Sequence, residues 1–259
     1  MSSGTVTAKG VQVNAQSEAG LAIRYKGGAW GSSATATEHN DKDLYPISTN
    51  NLVDWFHATA AETKLSNAEE ATRRNYTSSI INPETNAFID SNAYVVMEKF
   101  DIRSSSSAAL CKGLYVSGIT VTTTGDVAAS KTLSTALRVG VMYKYEETEG
   151  DQKVTKSRYH IYAPVTVTSA NSEANSDFNS PSNNYLVNGE EARTVTLATM
   201  DSTHFLVPDT ATIPVDSNGV TVEIYVWMEG EDHNLFSDNY NPEDLNVSVE
   251  FKNIGVATT

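Results

Sequence analysis

The chain has 259 residues, 39% of them hydrophobic, and a formal net charge of −14. That length allows one large all-β domain or two smaller domains. The chain has only 18 Lys and Arg against 32 Asp and Glu. This balance argues against nucleic acid and anionic membranes as partners, because both are bound through clusters of basic side chains. No run approaches the roughly 20 apolar residues of a membrane helix, so no membrane insertion is expected.

The first residues alternate between apolar and polar side chains. From Thr5 to Ala15 the period is two, with an interruption at Gly10, which is typical of a strand with one polar face. A second, short strand is predicted in "GLAIRYKGGAW", where a Gly-Gly turn precedes Trp30.

The pattern changes between residues 37 and 90. Ser48 or Asn50 is a suitable helix N-cap. Apolar residues then follow at near-helical spacing: Leu52, Trp55 and Phe56. These features predict an irregular insertion that is partly helical, over about residues 48–75.

From Tyr94 onward the strand patterns return. They are "YVVMEKFDIRS", "KGLYVSGITVTTTG", "TALRVGVMYKYEE", "VTKSRYHIYAPVTVTS", "TVTLATM", "VTVEIYVWME" and "LNVSVEFKNIG". The third and fourth of these runs are joined by "EGDQ", which predicts a hairpin. Residues 169–193 are rich in Asn and Ser and are predicted to form a long polar loop.

About eight to ten strands without helices between them favour an all-β, jelly-roll-like β-sandwich over an α/β fold. We predict an N-terminal segment over residues 1–16 and a single domain over residues 17–259. This domain carries insertions at about residues 37–90 and 169–193.

Motifs of known catalytic chemistry are missing from the sequence. It contains no H-E-x-x-H, no G-x-S-x-G, no phosphate-binding G-x-x-x-x-G-K and no C-x-x-C pattern. The single cysteine, Cys111, excludes an intrachain disulfide, and its apolar setting predicts a buried thiol. We therefore expect a protein that is not an enzyme and that needs no cofactor, calcium being the one exception to consider.

An acidic cluster follows the strand at residues 220–228. It consists of Glu229, Glu231, Asp232 and Asp238. One interpretation is a calcium site, since calcium takes six to eight oxygen ligands. The other is the solvated end of a strand, which we favour because the spacing does not match a D-x-[DN]-x-[DN]-G loop. The nearby "DSNG", Asp216 to Gly219, is predicted to be a turn.

Three stretches together resemble a known family. They are "VTAKGVQVNAQSEAGLAIRYKGGAW", the central "LRVGVMY" with "IYAPV", and the closing "GVTVEIYVWMEGEDHNLFSDN" with "LNVSVEF". In these stretches the chain is similar to the TasA/camelysin group of secreted biofilm-matrix and surface-fibre subunits. The closing block, with its acidic W-x-E-G-x-D corner, is the most specific of the three, and the resemblance covers about half of the chain.

The resemblance implies a jelly-roll subunit that is exported, loses its signal peptide and polymerises outside the cell. "MSSGTVTAKG" has neither a basic nor an apolar region, so the chain is predicted to be cytosolic or the mature form of an exported precursor. In fibres of this family, the N-terminal segment of one subunit is added to the sheet of the next. This implies a donor strand here formed by Thr5, Val6, Thr7, Ala8, Val11, Val13 and Ala15. Calcium use by some members adds weight to the acidic cluster.

Two pairing arrangements are open to this N-terminal strand. A jelly roll has edges with unpaired N–H and C=O groups, and a strand donated by a neighbouring copy satisfies them. The strand can equally complete the sheet of its own subunit.

The leading hypothesis is a structural subunit of an extracellular filament or biofilm fibre, with copies of itself as partners. The first alternative is a cell-surface adhesin or carbohydrate-binding module. It would bind glycans through exposed aromatic residues, for which the candidates are Trp30, Trp55, Tyr185 and Tyr240. A viral shell protein is the second alternative.

Overall fold

A computed structural model describes residues 9–37, 44, 46–49, 52–53, 55–57, 95–124, 137–163, 186–187, 190–191, 194–196, 205–229 and 244–256. These residues are all-β and contain no helix. The strands are β1 (Lys9–Ser17), β2 (Leu21–Tyr25), β3 (Ser33–Thr35), β4 (Pro46–Ser48), β5 (Phe56–His57), β6 (Val95–Ser104), β7 (Cys111–Thr124), β8 (Leu137–Glu149), β9 (Gln152–Ala163), β10 (Leu186–Val187), β11 (Glu190–Glu191), β12 (Thr194–Thr196), β13 (Phe205–Thr212), β14 (Val220–Glu229) and β15 (Asp244–Val256).

Two main sheets form the structure. The smaller sheet has the order β13-β7-β15-β1-β3. The larger sheet has eight strands, in the order β12-β9-β8-β14-β4-β5, with β6 also paired to β14 and β2 paired to β6. Strands β10 and β11 form a separate pair.

The two sheets enclose a common hydrophobic core. Residues of both contribute to it, including Val13, Val249 and Phe251 from the smaller sheet and Val139 and Ile224 from the larger one. Alternation along the strands produces this layer, because successive side chains of a strand point to opposite faces. The predicted all-β class is therefore confirmed, and the two-sheet arrangement is consistent with a β-sandwich.

The strand β14 is buried on both of its faces. Val220, Val222, Ile224 and Val226 belong to the core between the sheets, whereas Trp227 belongs to a second cluster on the outer face. The predicted core strand is thus confirmed.

The turn before β14 is also confirmed. Asp216 accepts hydrogen bonds from the backbone N–H groups of Asn218 and Gly219, at 2.9 and 2.8 Å. These two bonds favour the carboxylate and lower the pKa of Asp216.

The predicted hairpin is confirmed as well. β8 and β9 pair antiparallel from Val139↔Tyr162 to Glu149↔Gln152, with Gly150 and Asp151 in the turn. Beyond Tyr143, the last β8 residue paired with β14, the hairpin continues as an exposed ribbon.

A second hydrophobic core covers the outer face of the larger sheet. Trp55 is fully buried there. It packs edge-on against Trp227 with ring centroids 5.3 Å apart, and against Tyr225 at 6.0 Å. Ile47 and Leu52 complete the cover. A Cβ added to Gly140 of β8 would overlap the Leu52 side chain, so Gly140 makes room for this segment.

The helical insertion predicted for about residues 48–75 is not confirmed. The described residues of this range lie in the end of β4, in β5, in a bend at 52–53, or outside regular structure, and none of them is helical. Leu52 has a φ of 60°, in the left-handed region, and its N–H is bonded to the Thr49 hydroxyl at 3.0 Å. Leu52 and Trp55, two of the apolar residues at the predicted helical spacing, therefore pack on the sheet from a segment whose described residues are not helical.

One acidic side chain lies among the core residues of the larger sheet. Glu98 of β6 is 1% exposed and accepts a hydrogen bond of 2.7 Å from the Tyr25 hydroxyl. Burial and the neighbouring Glu98 carboxylate raise the pKa of Tyr25 to about 12. Tyr25 therefore stays a neutral hydrogen-bond donor across the physiological range.

Candidate functional site: strand β1 and its slot

Strand β1 lies between β15 and β3 in the smaller sheet. It runs parallel to β15, with the pairs Val13↔Val247 and Ala15↔Val249 among its eight register positions. On its other side it pairs with β3 only over Asn14–Gln16. Next to this pairing, the Val13 carbonyl accepts a hydrogen bond from the Ala36 N–H at 2.9 Å. Among the described strands, none pairs with residues 9–12 on that side, so this first part of β1 is a sheet edge.

The two faces of β1 differ in chemistry. Val13 and Ala15 are 1% and 0% exposed and point into the core. Gln12, Asn14 and Gln16 alternate with them and are half-buried or exposed. Among its described side chains, β1 is held by two small apolar ones, in addition to its backbone hydrogen bonds.

The end of β1 is fixed by Glu18. Its backbone N–H donates to the Phe251 carbonyl at 3.2 Å. Its carboxylate accepts hydrogen bonds from the backbone N–H and the side-chain amide of Asn253, at 2.9 and 3.1 Å. Both partners belong to β15, so Glu18 is bound to the same strand as β1.

The chain leaves this sheet immediately after Glu18. Ala19 and Gly20 are exposed, and Gly20 has a φ of 94°, which favours glycine. The Gly20 carbonyl accepts a hydrogen bond from the Ser105 N–H at 2.8 Å. It also accepts one from the Cys111 thiol at 3.2 Å. Gly20 is thus bonded to the rest of the subunit, whereas Glu18 is bonded to β15, which together with β3 forms the slot that β1 occupies. The Glu18 carbonyl also accepts the Leu21 N–H at 3.2 Å, so the connection at Ala19 is a hydrogen-bonded turn.

Strand β1 is held by fewer apolar contacts than the central strands. Burying Val13 is worth about 1.5–3 kcal/mol, and the methyl group of Ala15 adds about 0.8 kcal/mol. In contrast, β14 buries seven apolar side chains: Val220, Val222, Ile224, Tyr225, Val226, Trp227 and Met228. Among the described side chains, β1 therefore buries fewer apolar residues than this central strand does.

The predicted donor residues are described in part. Thr5, Val6, Thr7 and Ala8 lie outside the described residues, and Val11 is described only as part of β1. Val13 and Ala15 face the core. Residues 9–16, predicted to be a segment separate from the domain of residues 17–259, form a strand of its smaller sheet in the single chain.

The predicted acidic cluster falls largely outside the described residues. Glu229 is the last residue of β14, and Glu231, Asp232 and Asp238 are not described. Among the described residues, no group of three or more His, Cys, Asp or Glu side chains is placed to hold a metal ion. The calcium site stays a prediction.

The single cysteine is buried, as predicted. Burial raises the pKa of the Cys111 thiol. Its position beside Gly20 makes it part of the anchor rather than a reactive group.

Two of the four aromatic residues proposed as glycan-stacking groups are described by the structure. Trp55 is in the second core, and Tyr185 and Tyr240 lie outside the described residues. Trp30 is half-buried between two guanidinium groups, those of Arg24 at 4.4 Å and Arg103 at 4.3 Å from its ring centroid.

Comparison of the chain with protein-family models, curated proteins and solved structures found no match. In the described part of the chain, no helix has the length and apolar character needed to cross a bilayer.

Proposed function

We propose that the protein is a non-enzymatic structural subunit of an extracellular filament and that it assembles by exchange of β1 between copies. The observation that supports this most is the construction of the β1 slot. The strand β1 fills it with two small core side chains among those described, Val13 and Ala15, and the chain leaves the smaller sheet directly after β1, at the turn through Ala19.

Exchange replaces the contacts of β1 with the neighbouring strand β15 by equal ones. A β1 strand from a neighbouring copy presents the same residues to β15, so the parallel register from Val11↔Leu245 to Ser17↔Phe251 is available to it. Glu18 moves with the strand and finds Asn253 of the acceptor in the same position. Both the backbone hydrogen bonds with β15 and the contact between Glu18 and Asn253 are re-formed. The free-energy difference between the exchanged and the unexchanged protein therefore comes mainly from the connection at Ala19 and from new contacts between the two subunits.

The direction of exchange determines the product. If two copies exchange β1 reciprocally, the assembly closes as a dimer; if each copy donates to the next, it grows as a filament. We propose the second case, with a jelly-roll connectivity of the subunit, because the sequence resembles the TasA/camelysin fibre subunits. The same resemblance supports secretion and removal of a signal peptide.

Deletion of residues 1–17 tests this proposal. The shortened chain lacks the strand to be donated, so we expect it to form no filaments under conditions in which the full chain does. A synthetic peptide of residues 9–17 should bind the empty slot, because it restores the pairing with β15 and the burial of Val13 and Ala15. The measurement is negative-stain electron microscopy together with the circular dichroism melting temperature of the shortened chain, with and without peptide.

The control is a peptide in which Val13 and Ala15 are both replaced by Asp, which cannot enter the core. We expect the unmodified peptide to raise the melting temperature and the control peptide to leave it unchanged. Filaments of normal appearance from the peptide-complemented, shortened chain would contradict the proposal.

A further inference from the structure

A groove crosses the outer face of the smaller sheet. Its volume is about 220 Å³. It is lined by Asn14, Gln16, Ser33, Ala34, Thr35, Thr120, Asn246 and Ser248. Four different strands, β3, β1, β15 and β7, therefore form one recess.

The register of the strands places four of the lining residues in one row across the centre of this groove. Asn14 pairs with Thr35 on one side and with Ser248 on the other, and Ser248 pairs with Thr120. These four residues form a row across four strands, spanning about 14 Å at the usual spacing between strands. Ser248 has the shortest side chain of the row, so the row is lowest near its middle.

The groove offers hydroxyl and amide groups without charge. Among the described residues, no lining side chain is ionised. The charged neighbour along β15 at one end of the groove is Glu250, which pairs with Gln16. The Thr35 hydroxyl donates to the Asn14 side-chain oxygen at 2.7 Å, which leaves the Asn14 amide hydrogens to bind a ligand. Within the described part, no side-chain hydrogen bond engages Gln16, Thr120, Asn246 or Ser248.

We propose that this groove binds a neutral oligosaccharide. A row of groups that each donate and accept matches the hydroxyls of a sugar, which also donate and accept, and the lack of charge avoids a preference for ionic ligands. The inference goes beyond the proposed function and stands without it, because every lining residue belongs to one chain.

A second copy of the protein fits the same face less well. The centre of a stable protein interface is apolar and poor in charge, and this groove has only Ala34 as an apolar lining residue.

The test uses the monomeric fraction of the full chain and three neutral trisaccharides: maltotriose, cellotriose and N,N′,N″-triacetylchitotriose. Binding is followed by the NMR shifts of the side-chain amides of Asn14, Gln16 and Asn246, titrated to 20 mM. We expect at least one trisaccharide to bind there. The variant Ser248→Phe, which fills the recess, should weaken that binding at least tenfold. The matched control is Thr155→Phe on the exposed ribbon of β9, which should bind as the unmodified protein does.

Trigalacturonate tests the choice of a neutral ligand, and we expect it to bind at least tenfold more weakly than the best neutral trisaccharide. The proposal is overturned if none of the three neutral trisaccharides shifts the groove amides, or if Ser248→Phe binds as well as the control. A third outcome also overturns it: no sugar binds, and sedimentation without sugar shows that the unmodified chain self-associates whereas Ser248→Phe does not. The groove would then hold a second copy of the protein.

Discussion

A disulfide between positions 16 and 250 is expected to hold the protein as a monomer. Gln16 and Glu250 are register partners on the outer faces of β1 and β15, and neighbouring strands place such pairs within the Cα separation that a disulfide requires. The variant Gln16→Cys/Glu250→Cys, with Cys111→Ala to remove the native thiol, should close this bond within one chain. Once β1 is tied to its own β15, it cannot leave, and filament formation should stop.

Reduction should reverse this block. We expect oxidised protein to remain monomeric by light scattering for as long as the unmodified chain takes to assemble fully, and filaments to appear after a reductant is added. The control disulfide is Glu147→Cys/Val154→Cys in the β8–β9 ribbon, which leaves β1 unrestrained and should assemble in both states. Assembly of the oxidised 16–250 variant at the rate of the control would show that β1 is not exchanged.

Replacement of Trp55 by Ala should destabilise the subunit strongly. Trp55 is fully buried on the outer face of the larger sheet, against Trp227 and Tyr225. Removal of a buried Trp side chain costs about 3–5 kcal/mol, because apolar burial is lost and a cavity remains. We expect the free energy of unfolding, measured by urea denaturation, to fall by that amount.

Trp30→Ala is the matched control for this change. Trp30 is half-buried and contacts Arg24 and Arg103 through its ring faces, and two such exposed contacts are worth about 1–2 kcal/mol. Equal losses for Trp30→Ala and Trp55→Ala would show that the segment around Trp55 does not form a second core on the sheet.

The strands with strong local patterns can be predicted from the sequence. The strand β14 and the β8–β9 hairpin are both given by their β-branched and aromatic residues and by the turn between residues 149 and 152. The turn at Asp216 follows in the same way from its Asx chemistry. Each of these features depends on residues that are close together in the chain.

The second core could not be predicted in the same way. Leu52 and Trp55 have a spacing that suits a helix, but they pack on the larger sheet from a segment that bends at residues 52–53, where Leu52 has a positive φ. Tertiary burial overrides local propensity here. The space that Gly140 leaves for Leu52 joins residues nearly ninety positions apart, and no local pattern reports it.

The candidate site depends on long-range register in the same manner. The alternation of Val13 and Ala15 predicts a strand, but its parallel pairing with β15 brings together the two ends of the chain. The contact between Glu18 and Asn253 and the row through Asn14, Ser248 and Thr120 exist only because of that register. A search for polar residues on the outward face of each predicted strand would have found the members of this row, but not their alignment.

The most direct test of β1 exchange mixes two single-cysteine variants, both with Cys111→Ala. One carries Gln16→Cys in β1 and the other Glu250→Cys in β15, and the mixture is oxidised after filaments have formed. If β1 of one copy occupies the slot of the next, a disulfide-linked pair of the two different chains appears on a non-reducing gel, at a yield well above that of either variant alone. If assembled filaments give no such pair, while the double variant oxidised under the same conditions closes the disulfide only within single chains, then β1 stays in its own sheet and the filaments form in another way.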